Sequence, residues 1–579
     1  MKHHTLNAFL TWAEENNIHW DKDAIEVREG KHGLGIYAKK NLDAGYEAIQ
    51  VPKSIVLSVE STGIANLLEE EDIEGYAGLT LACMYEYSKG AESVWSAYLA
   101  LLAESRPQMP SDLSEDAREL LKKSEVFGDI ETDLKDMQED YDTVIVPFLE
   151  KHPEIFSAEI KAKFFTYEDF KTMTSHVSSR AMDVDNFHIS ALVPFADLVN
   201  HNSEPNSDYL THEEVCEVCG AISCEHMDED EEDEDEDEAP ELAADEDKKK
   251  RAAAKKAEAA DVDGEDDDED DEDWEDDIND TCDIVLDDDV KKGEEITRHY
   301  GPFPNKIFLS KYGFAEIDNE HDTVTVQLEM VKKAAESILG DPALVEERTK
   351  WFLDTEDIFI GEDDEDELEE EGCCDGDHDH DHHHHHGHAH KHEKKDVEAG
   401  EAEESESEDE ESDDEAEEED FPRDIMEIMH DGSIDDRLLM LLNVLFMEKE
   451  QFAKVEESVD AATEYFNDIF LRRAIEEDLA ADDEEDSDDE EQQPKPELKP
   501  LDDAGRRVRK NVLEAILQVI RLRADAYGVS DKTTAEEDLE LLNKAGLSGT
   551  LYYGALCVIG EKKVLQNALK TYTKFHAEL

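Results

Sequence analysis

Three long acidic runs interrupt the chain and limit the part of it that can fold. They cover about residues 228–280, 362–420 and 476–491, and the third continues as a Pro-containing linker to about residue 500. Runs of like charge with few apolar side chains cannot bury enough surface to offset the loss of chain entropy, so we expect these segments to be disordered. A folded structure must come from the sequence between them, which has ordinary globular patterning.

The overall charge narrows the choice of partners. The 579 residues include 56 Lys and Arg against 159 Asp and Glu, which gives a formal net charge of −103. This balance disfavours direct contact with nucleic acid or with an anionic membrane, and it favours a basic protein as partner. We expect the protein to act as a monomer.

The eight cysteines are scattered along the chain and do not resemble a disulfide framework. The N-terminal residues lack the long apolar run of a secretory signal, and no apolar stretch is long enough to span a bilayer. We therefore expect a reducing compartment, the cytosol or the nucleus.

The spacing of apolar residues predicts an α+β fold. Short strands with tight turns are predicted at about residues 33–60, 187–210 and 282–301. Helices are predicted at residues 4–17, over most of 63–175, from Asp435 onward, and at 505–527, 534–545 and 552–575.

Three separated segments contain residues suited to binding a small polar ligand. The first is Gly33-Leu34-Gly35, where two glycines allow a close backbone approach; a plain β-turn is the alternative. The second is an apolar run that ends in Asn200-His201, whose side chains can donate and accept hydrogen bonds; a structural Asn/His pair is the alternative. The third contains Tyr300-Gly301, which either exposes a tyrosine hydroxyl or places a core aromatic beside a turn.

The order and spacing of these three segments resemble the SET-domain methyltransferases. Further motifs are similar to the Rubisco large-subunit methyltransferase class: Trp95-x-x-Tyr98-Leu99, Ser179-Arg180, Pro194-Phe195-Ala196-Asp197 and Asn319-x-His321-Asp322-Thr323-Val324. Near the C-terminus, Glu536-Glu537-Asp538 and Gly560-Glu561-Lys562-Lys563 resemble the helical substrate-binding domain of that class. The acidic inserts are most similar to those of fungal ribosomal-protein lysine methyltransferases.

The resemblance implies a β-rich SET domain over residues 1–315, closed like a pseudoknot by a C-terminal segment threaded through a loop. A helical insert is expected at about 63–175, and a Cys/His and acidic insert at about 211–281. An all-α substrate-binding domain is expected over residues 316–579, with an acidic, His-rich insert at about 361–420 and an acidic linker at about 476–500. The implied activity is methyl transfer from S-adenosyl-L-methionine to a lysine of a protein, with a ribosomal protein of the large subunit as the expected substrate.

The resemblance also implies which residues bind the cofactor: Gly33, Leu34, Gly35, Arg180, Asp197, Asn200, His201 and Tyr300. The backbone of the glycine segment is expected to hold the amino-acid end of the cofactor, and Arg180 is expected to pair with its carboxylate. Asn200 and His201 would hold the adenine and neighbouring atoms, while Asp197 supports this loop.

Tyr300 is the implied catalytic residue, at the junction of the cofactor and the lysine channel. A narrow apolar channel would favour the neutral amine, since lysine otherwise has a pKa of about 10.4. One residue departs from the family pattern: Arg298 lies two positions before Tyr300, where relatives commonly carry a small polar residue. We expect Arg298 to point away from the channel unless the local packing differs.

Two clusters have metal-binding chemistry. Cys216, Cys219, Cys224 and His226 form a compact set of ligands suited to tetrahedral structural zinc; unliganded, reduced cysteines are the alternative. A His-rich tract at 378–392, beside Cys373 and Cys374, could bind transition metals in solution, but a low-complexity segment without a metal is the favoured interpretation.

Two other functions are compatible with the composition and the motifs. The acidic inserts could chaperone basic ribosomal proteins or histones beside an inactive SET core, or the acceptor could be histidine instead of lysine. Retention of the glycine, Asn-His and Tyr-Gly segments argues against an inactive core.

Overall fold

The computed structural model describes residues 2–31, 33–107, 109–113, 118, 121–122, 124–224, 226, 280–359, 425–481, 500–527, 533–577 and 579. Except at their edges, the acidic runs predicted to be disordered lie outside these residues, as does the His-rich tract at 378–392. The structure corrects the start of the third run, because residues 476–481 are the last turns of the helix Val459–Ala481. Ile475 is buried in this helix, and the helix continues from there into the first acidic residues of the run.

The chain forms two compact units. Unit 1 consists of Met1–Asp322 and Tyr527–Lys563, and unit 2 consists of Thr323–Ala526 and Val564–Leu579. The domain boundary predicted after residue 315 lies near the end of the first segment of unit 1. Residues 527–563 belong with unit 1, although the sequence placed them in one C-terminal domain.

The strands of unit 1 are short and form three small sheets. They are β1 (Ile25–Gly30), β2 (Gly33–Ala38), β3 (Glu47–Pro52), β4 (Ala181–Asp185), β5 (Ile189–Leu192), β6 (Asn200–His201), β7 (Ser207–Thr211), β8 (Thr281–Leu286) and β9 (Glu295–Arg298). The sheet orders are β1-β2-β9-β6, β3-β8-β7 and β4-β5. Neighbouring strands are antiparallel except for β6 and β9, which are parallel.

Alternation of buried and exposed side chains explains why these segments are strands. On β8, Cys282, Ile284 and Leu286 are buried while the residues between them are partly exposed, as expected for a strand with one face on a core. The N-terminal helix Lys2–Glu15 adds Phe9 to the same core. This core lies under the sheets that carry the three motifs.

The predicted helical insert forms its own apolar core. Its helices are Ala65–Glu70, Gly75–Ser88, Ser96–Glu104, Glu125–Asp140, Val146–Lys151, Ala158–Phe164 and Tyr167–Ser178, with a π-helical turn at Tyr141–Ile145. Phe148, Phe156, Phe165 and Phe170 fill this core. The helix Tyr167–Ser178 begins at a capping box made by Thr166 and Asp169 and ends next to Ser179-Arg180.

The segment after β9 is fastened by polar contacts within unit 1. It contains the short helix Asn305–Ile307 and the π-helical turn Phe308–Tyr312. The Asn305 backbone N–H donates to Oδ1 of Asp322 at 2.8 Å, and its side-chain amide donates to Oδ2 at 2.9 Å. Gly560 packs so closely on this carboxylate that a Cβ atom would lie 2.3 Å from Oδ2 of Asp322.

Unit 1 also contains the helix Ala535–Ala545. The helix Gly549–Ala577 belongs to unit 1 up to Lys563 and to unit 2 after it. The remaining helices belong to unit 2. In unit 2 these are Leu328–Leu339, Pro342–Leu353, Asp436–Phe446, Lys449–Glu457, Val459–Ala481 and Asp503–Tyr527. Unit 2 also has a two-stranded antiparallel sheet, β10 (Val324–Gln327) with β11 (Ile425–Ile428), which the all-α expectation did not include. Val324 and Val326 are both fully buried on one face of β10, which explains the strand.

None of the described helices combines the length and the apolar character needed to cross a membrane.

Candidate active site

Seven of the eight residues predicted to bind the cofactor line one cavity of unit 1. The cavity measures ≈ 1670 Å³, and its walls include Gly33, Leu34, Arg180, Asp197, Asn200, His201 and Tyr300. Ligand pockets usually measure about 300–1,000 Å³, so this one has room for a cofactor and part of a second molecule.

The two glycines of the first motif are required for different reasons. Gly33 has a φ of +105°, which L side chains rarely adopt, so the backbone itself demands glycine there. At Gly35 a Cβ atom would lie 2.2 Å from Oε1 of Glu295 and 2.8 Å from Nδ2 of Asn200. The structure therefore places Gly35 behind Asn200 rather than on the cavity surface, where it leaves space for that side chain.

Asn200 is fixed by bonds to the first and third motifs. Its amide donates to the carbonyl oxygen of Leu34 at 3.1 Å and to Oε1 of Glu295 at 2.7 Å. These bonds use both amide hydrogens, so the side-chain oxygen is the polar atom left to meet a ligand.

His201 connects the second motif to the third. The parallel pairing of β6 with β9 places His201 opposite Arg298, and Nδ1 of His201 accepts a hydrogen bond from the Tyr300 backbone N–H at 3.1 Å. A neutral His201 therefore carries its proton on Nε2, which lies 3.3 Å from Oε1 of Glu316. The contact with His201 lowers the pKa of Glu316 below its usual range, although burial opposes this.

Arg180 is held at the cavity wall by a buried carboxylate. One of its terminal nitrogens, Nη1, donates to the carbonyl oxygen and to Oδ2 of Asp197, both at 3.0 Å, and the Tyr98 hydroxyl donates to the same Oδ2 at 2.9 Å. Burial raises the pKa of Asp197 in spite of Arg180 and Tyr98. The energetic gain of this pair is therefore small, and its main effect is to fix the guanidinium.

Part of the Arg180 side chain remains available at the cavity wall, because 16% of its surface is exposed. Its Nε atom is buried and has no hydrogen-bond partner within the described part of the chain. The positive charge and the exposed part of the side chain suit an anionic group in the cavity.

Tyr300 lies in a cluster of aromatic rings. Its ring centroid is 4.8 Å from that of Tyr312 and 5.2 Å from that of His201, and its hydroxyl donates to the carbonyl oxygen of Val199 at 3.0 Å. Burial raises the pKa of Tyr300, with Arg298 and Arg180 opposing the shift. The phenol therefore stays protonated at neutral pH and remains a hydrogen-bond donor.

Arg298 packs beside the Tyr300 ring and is not among the described residues that line the cavity. Its guanidinium carbon lies 4.7 Å from the Tyr300 ring centroid and 6.0 Å from the Tyr209 ring centroid. Arg298 is the last residue of β9, and the cation–π attraction to two nearby rings accounts for this orientation.

Three residues of the site had no assigned role before the structure was known. Glu295 accepts the hydrogen bond of Asn200, Glu316 faces His201, and Tyr98 supports Asp197. Tyr98 belonged to a recognised motif, which was a usable signal. Neither glutamate could be distinguished by pattern from the many surface acidic residues.

The Cys/His cluster lies after β7 and forms a compact arrangement. The ligand atoms of Cys216, Cys219, Cys224 and His226 all lie within 4.8 Å of one another. The Nδ1 atom of His226 is 3.7 Å from Sγ of Cys216 and 3.6 Å from Sγ of Cys224. A tight turn at Gly220 folds this segment back on itself, since its backbone N–H donates to the Cys216 carbonyl at 2.7 Å.

The sequence is similar to those of known lysine methyltransferases. It is 26% identical over 379 residues to ribosomal lysine N-methyltransferase 3 of Saccharomyces cerevisiae, which covers 60% of this chain and 68% of the yeast protein. It is 24% identical over 382 residues to N-lysine methyltransferase setd6 of Danio rerio, which covers 62% of this chain and 67% of that protein. No protein-family model matches the chain.

The fold is similar to that of solved SET-domain structures. The SET domain of LSMT bound to lysine and AdoHcy aligns with a TM-score of 0.55 at 16% identity, over 99% of this chain and 92% of that one. A structure of Rubisco LSMT bound to AdoMet aligns with a TM-score of 0.54 at 15% identity and the same coverage.

The chain has the fold of the SET domain, and one of the solved structures that share this fold contains AdoMet. The sequence relatives and the structural neighbours are SET-domain protein-lysine methyltransferases, which supports the same class for this chain. The α+β fold with a SET core that the sequence predicted is confirmed.

Proposed function

We propose that this enzyme methylates a lysine of a ribosomal protein and that the cavity of unit 1 holds S-adenosylmethionine. The observation that carries the proposal is the meeting of Gly33, Arg180, Asn200 and Tyr300, distant in sequence, around that single cavity. Relatives with names that specify lysine as the acceptor support the choice of acceptor.

Each wall residue has a role that follows from its contacts. The exposed part of the Arg180 guanidinium would bind the carboxylate of the cofactor, and the side-chain oxygen of Asn200 would accept from the adenine amino group. The backbone around Gly33 would hold the amino-acid end. The Tyr300 hydroxyl donates its proton to Val199, so its oxygen would accept a hydrogen bond from the substrate amine and align it.

Methyl transfer depends more on the positions of the reacting atoms than on acid–base groups. An uncharged amine attacks the methyl carbon in line with the bond to sulphur, and the protein contributes orientation and field. The rings around Tyr300 offer an apolar surface, and such surroundings favour the neutral amine over the ammonium ion.

A ribosomal substrate is supported by two observations. One is the name of the yeast relative, and the other is the formal net charge of −103, which attracts a strongly basic protein. Free thiols on all six cysteines within the described residues support a reducing compartment, the cytosol or the nucleus.

The proposal is tested by incubating the full chain with methyl-labelled S-adenosylmethionine and ribosomal proteins of the large subunit. We expect label on one or a few lysines of a large-subunit protein, located by mass spectrometry. Label on histidine instead of lysine would show that histidine is the acceptor and would contradict the proposed lysine acceptor. Tight binding of ribosomal proteins with no label would support an acidic chaperone and contradict the proposal.

We also propose that Cys216, Cys219, Cys224 and His226 hold a structural zinc ion. A tetrahedral site with Zn–S near 2.3 Å and Zn–N of about 2.0–2.1 Å has edges of about 3.6 Å between sulphur and nitrogen. The Nδ1 atom of His226 lies 3.6 and 3.7 Å from the sulphur atoms of Cys224 and Cys216, so these two edges already have the length that a zinc site requires.

Cobalt should distinguish this cluster from the His-rich tract. We expect the protein loaded with one equivalent of Co²⁺ to absorb through thiolate-to-cobalt charge transfer, and Cys219→Ser to lose most of that band. Cys219 is exposed, so its replacement has little packing cost. Removal of zinc should lower the melting temperature by several degrees.

The matched control replaces His382–His386 by serine, which should leave the charge-transfer band intact. A band that survives Cys219→Ser, or a melting temperature unaffected by chelation, would contradict a structural zinc.

A further inference from the structure

Arg298 brings a positive charge next to the proposed catalytic tyrosine. Its guanidinium carbon lies 4.7 Å from the Tyr300 ring centroid, within the range of a cation–π contact. On its other side the Tyr209 ring centroid is 6.0 Å away. The guanidinium is thus near two tyrosine rings, one of which carries the hydroxyl proposed to align the reaction.

Among the described residues, the Arg298 guanidinium has no close carboxylate partner of its own. Its Nε atom is buried and has no hydrogen-bond partner in the part of the chain that is described. The two carboxylates that act on Tyr300 have other contacts: Asp197 binds Arg180, and Glu295 accepts from Asn200.

This arrangement matters because the acceptor must lose a proton first. An ammonium group has no lone pair, so its proton must pass to solvent before the nitrogen forms a bond to the methyl carbon. The bond from that carbon to sulphur then breaks, and its electron pair stays on sulphur. With an ordinary lysine pKa of about 10.4, only about one amine in a thousand is ready at neutral pH.

We propose that Arg298 is a positioning residue of the methyl-transfer site, which keeps the acceptor amine uncharged through its positive field while it supports the Tyr300 ring. The proposal rests on the proposed function. The positive charge of Arg298 also opposes, locally, the attraction that a chain with a net charge of −103 exerts on an ammonium ion.

Other charged and titratable groups face the same tyrosines. Besides Arg298, the groups that influence the pKa values of Tyr300, Tyr209 and Tyr312 electrostatically are Arg180, Asp197, Glu295, Asp183, Cys282 and Tyr76. Arg180 is the only other cation in this set, and Asp197 already neutralises it. Removal of Arg298 therefore takes away the cation of this set that Asp197 does not neutralise, while the negative charges of Glu295 and Asp183 remain.

The test is a pH profile of the single-turnover methylation rate at saturating cofactor. A unit charge several ångströms away in a medium of effective dielectric near 20 shifts a pKa by roughly one unit. For Arg298→Met we expect the rising limb of the profile to move about one unit to higher pH, with a rate about tenfold lower at neutral pH. The rate should approach that of the unchanged protein at high pH, and Arg298→Lys should restore the original profile.

Two further variants make the result decisive. Arg298→Gln is a second neutral replacement, which keeps hydrogen-bonding capacity should the methionine variant fold poorly. Lys163→Met removes a positive charge that lies 4.5 Å from the Phe164 ring in the helical insert, and its profile should stay in place.

A rate that falls by the same factor at every pH, with no shift, would show that Arg298 only packs against Tyr300. A shift with Lys163→Met would show that net charge, not this position, is responsible. Failure of the proposed function would differ from both, since the unchanged protein would then transfer no label at any pH.

Discussion

Replacement of Tyr300 by phenylalanine is expected to lower the rate of methyl transfer by roughly 100-fold or more, the usual effect of losing one well-placed hydrogen-bonding group. The ring contacts to Tyr312 and His201 would remain, so the fold and the binding of the cofactor should change little. What disappears is the hydroxyl and its bond to the Val199 carbonyl. Single-turnover rates and cofactor titration separate the two effects.

A matched control exists in the helical insert. The Tyr141 hydroxyl donates to the carbonyl oxygen of Phe165 at 2.8 Å, as the Tyr300 hydroxyl does to that of Val199. Both phenylalanine variants should lose about 1–3 kcal/mol of stability from the unsatisfied carbonyl, but Tyr141→Phe should keep its activity. Full activity of the Tyr300→Phe variant would contradict the proposed role of Tyr300.

The second large effect is expected from Asp197→Asn, which takes away the counter-charge of Arg180. Loss of one partner of a buried pair costs about 3–5 kcal/mol, because a charge then remains buried without compensation. The guanidinium would also lose its fixed orientation at the cavity wall. We expect cofactor affinity to fall at least tenfold, measured by calorimetry, together with a lower free energy of unfolding.

Asp185→Asn provides the comparison for stability alone. Asp185 forms another buried pair in unit 1, with Nζ of Lys53 at 2.8 Å, and these side chains are 0% and 1% exposed. Neither residue lines the cavity. Similar losses of stability in both variants, with an affinity loss only in Asp197→Asn, are expected; equal affinities would mean that Arg180 does not bind the cofactor.

Much of the fold could be predicted because periodicity is a local property. Strands occur in each predicted region, and the helix at residues 2–15 and the last three helices lie close to their predicted positions. The pairing of β10 with β11 could not be predicted, since its strands are separated by a long stretch of sequence and each is only four residues long. The grouping of residues 527–563 with unit 1 is likewise a long-range property.

The site was predictable where short motifs carried the signal. Gly33, Arg180, Asn200 and Tyr300 were identified by motif, and they line one cavity. The position of Gly35 behind Asn200, and the stacking of Arg298 on Tyr300, depend on side chains from different strands meeting. No spacing rule contains that information, so the contact of Arg298 with Tyr300 could not be predicted.

The close contact of Gly560 with Asp322 constrains how the enzyme matures during synthesis. A ribosome releases the chain from the N-terminus, so the long first segment of unit 2 emerges before the helix that carries Gly560. The same helix supplies Tyr552, Tyr553 and Leu556 to the cavity wall, so this wall stays incomplete until the helix has been synthesised. A nascent chain stalled after residue 526 should therefore have no competent catalytic pocket, and the methylating activity appears only late in translation.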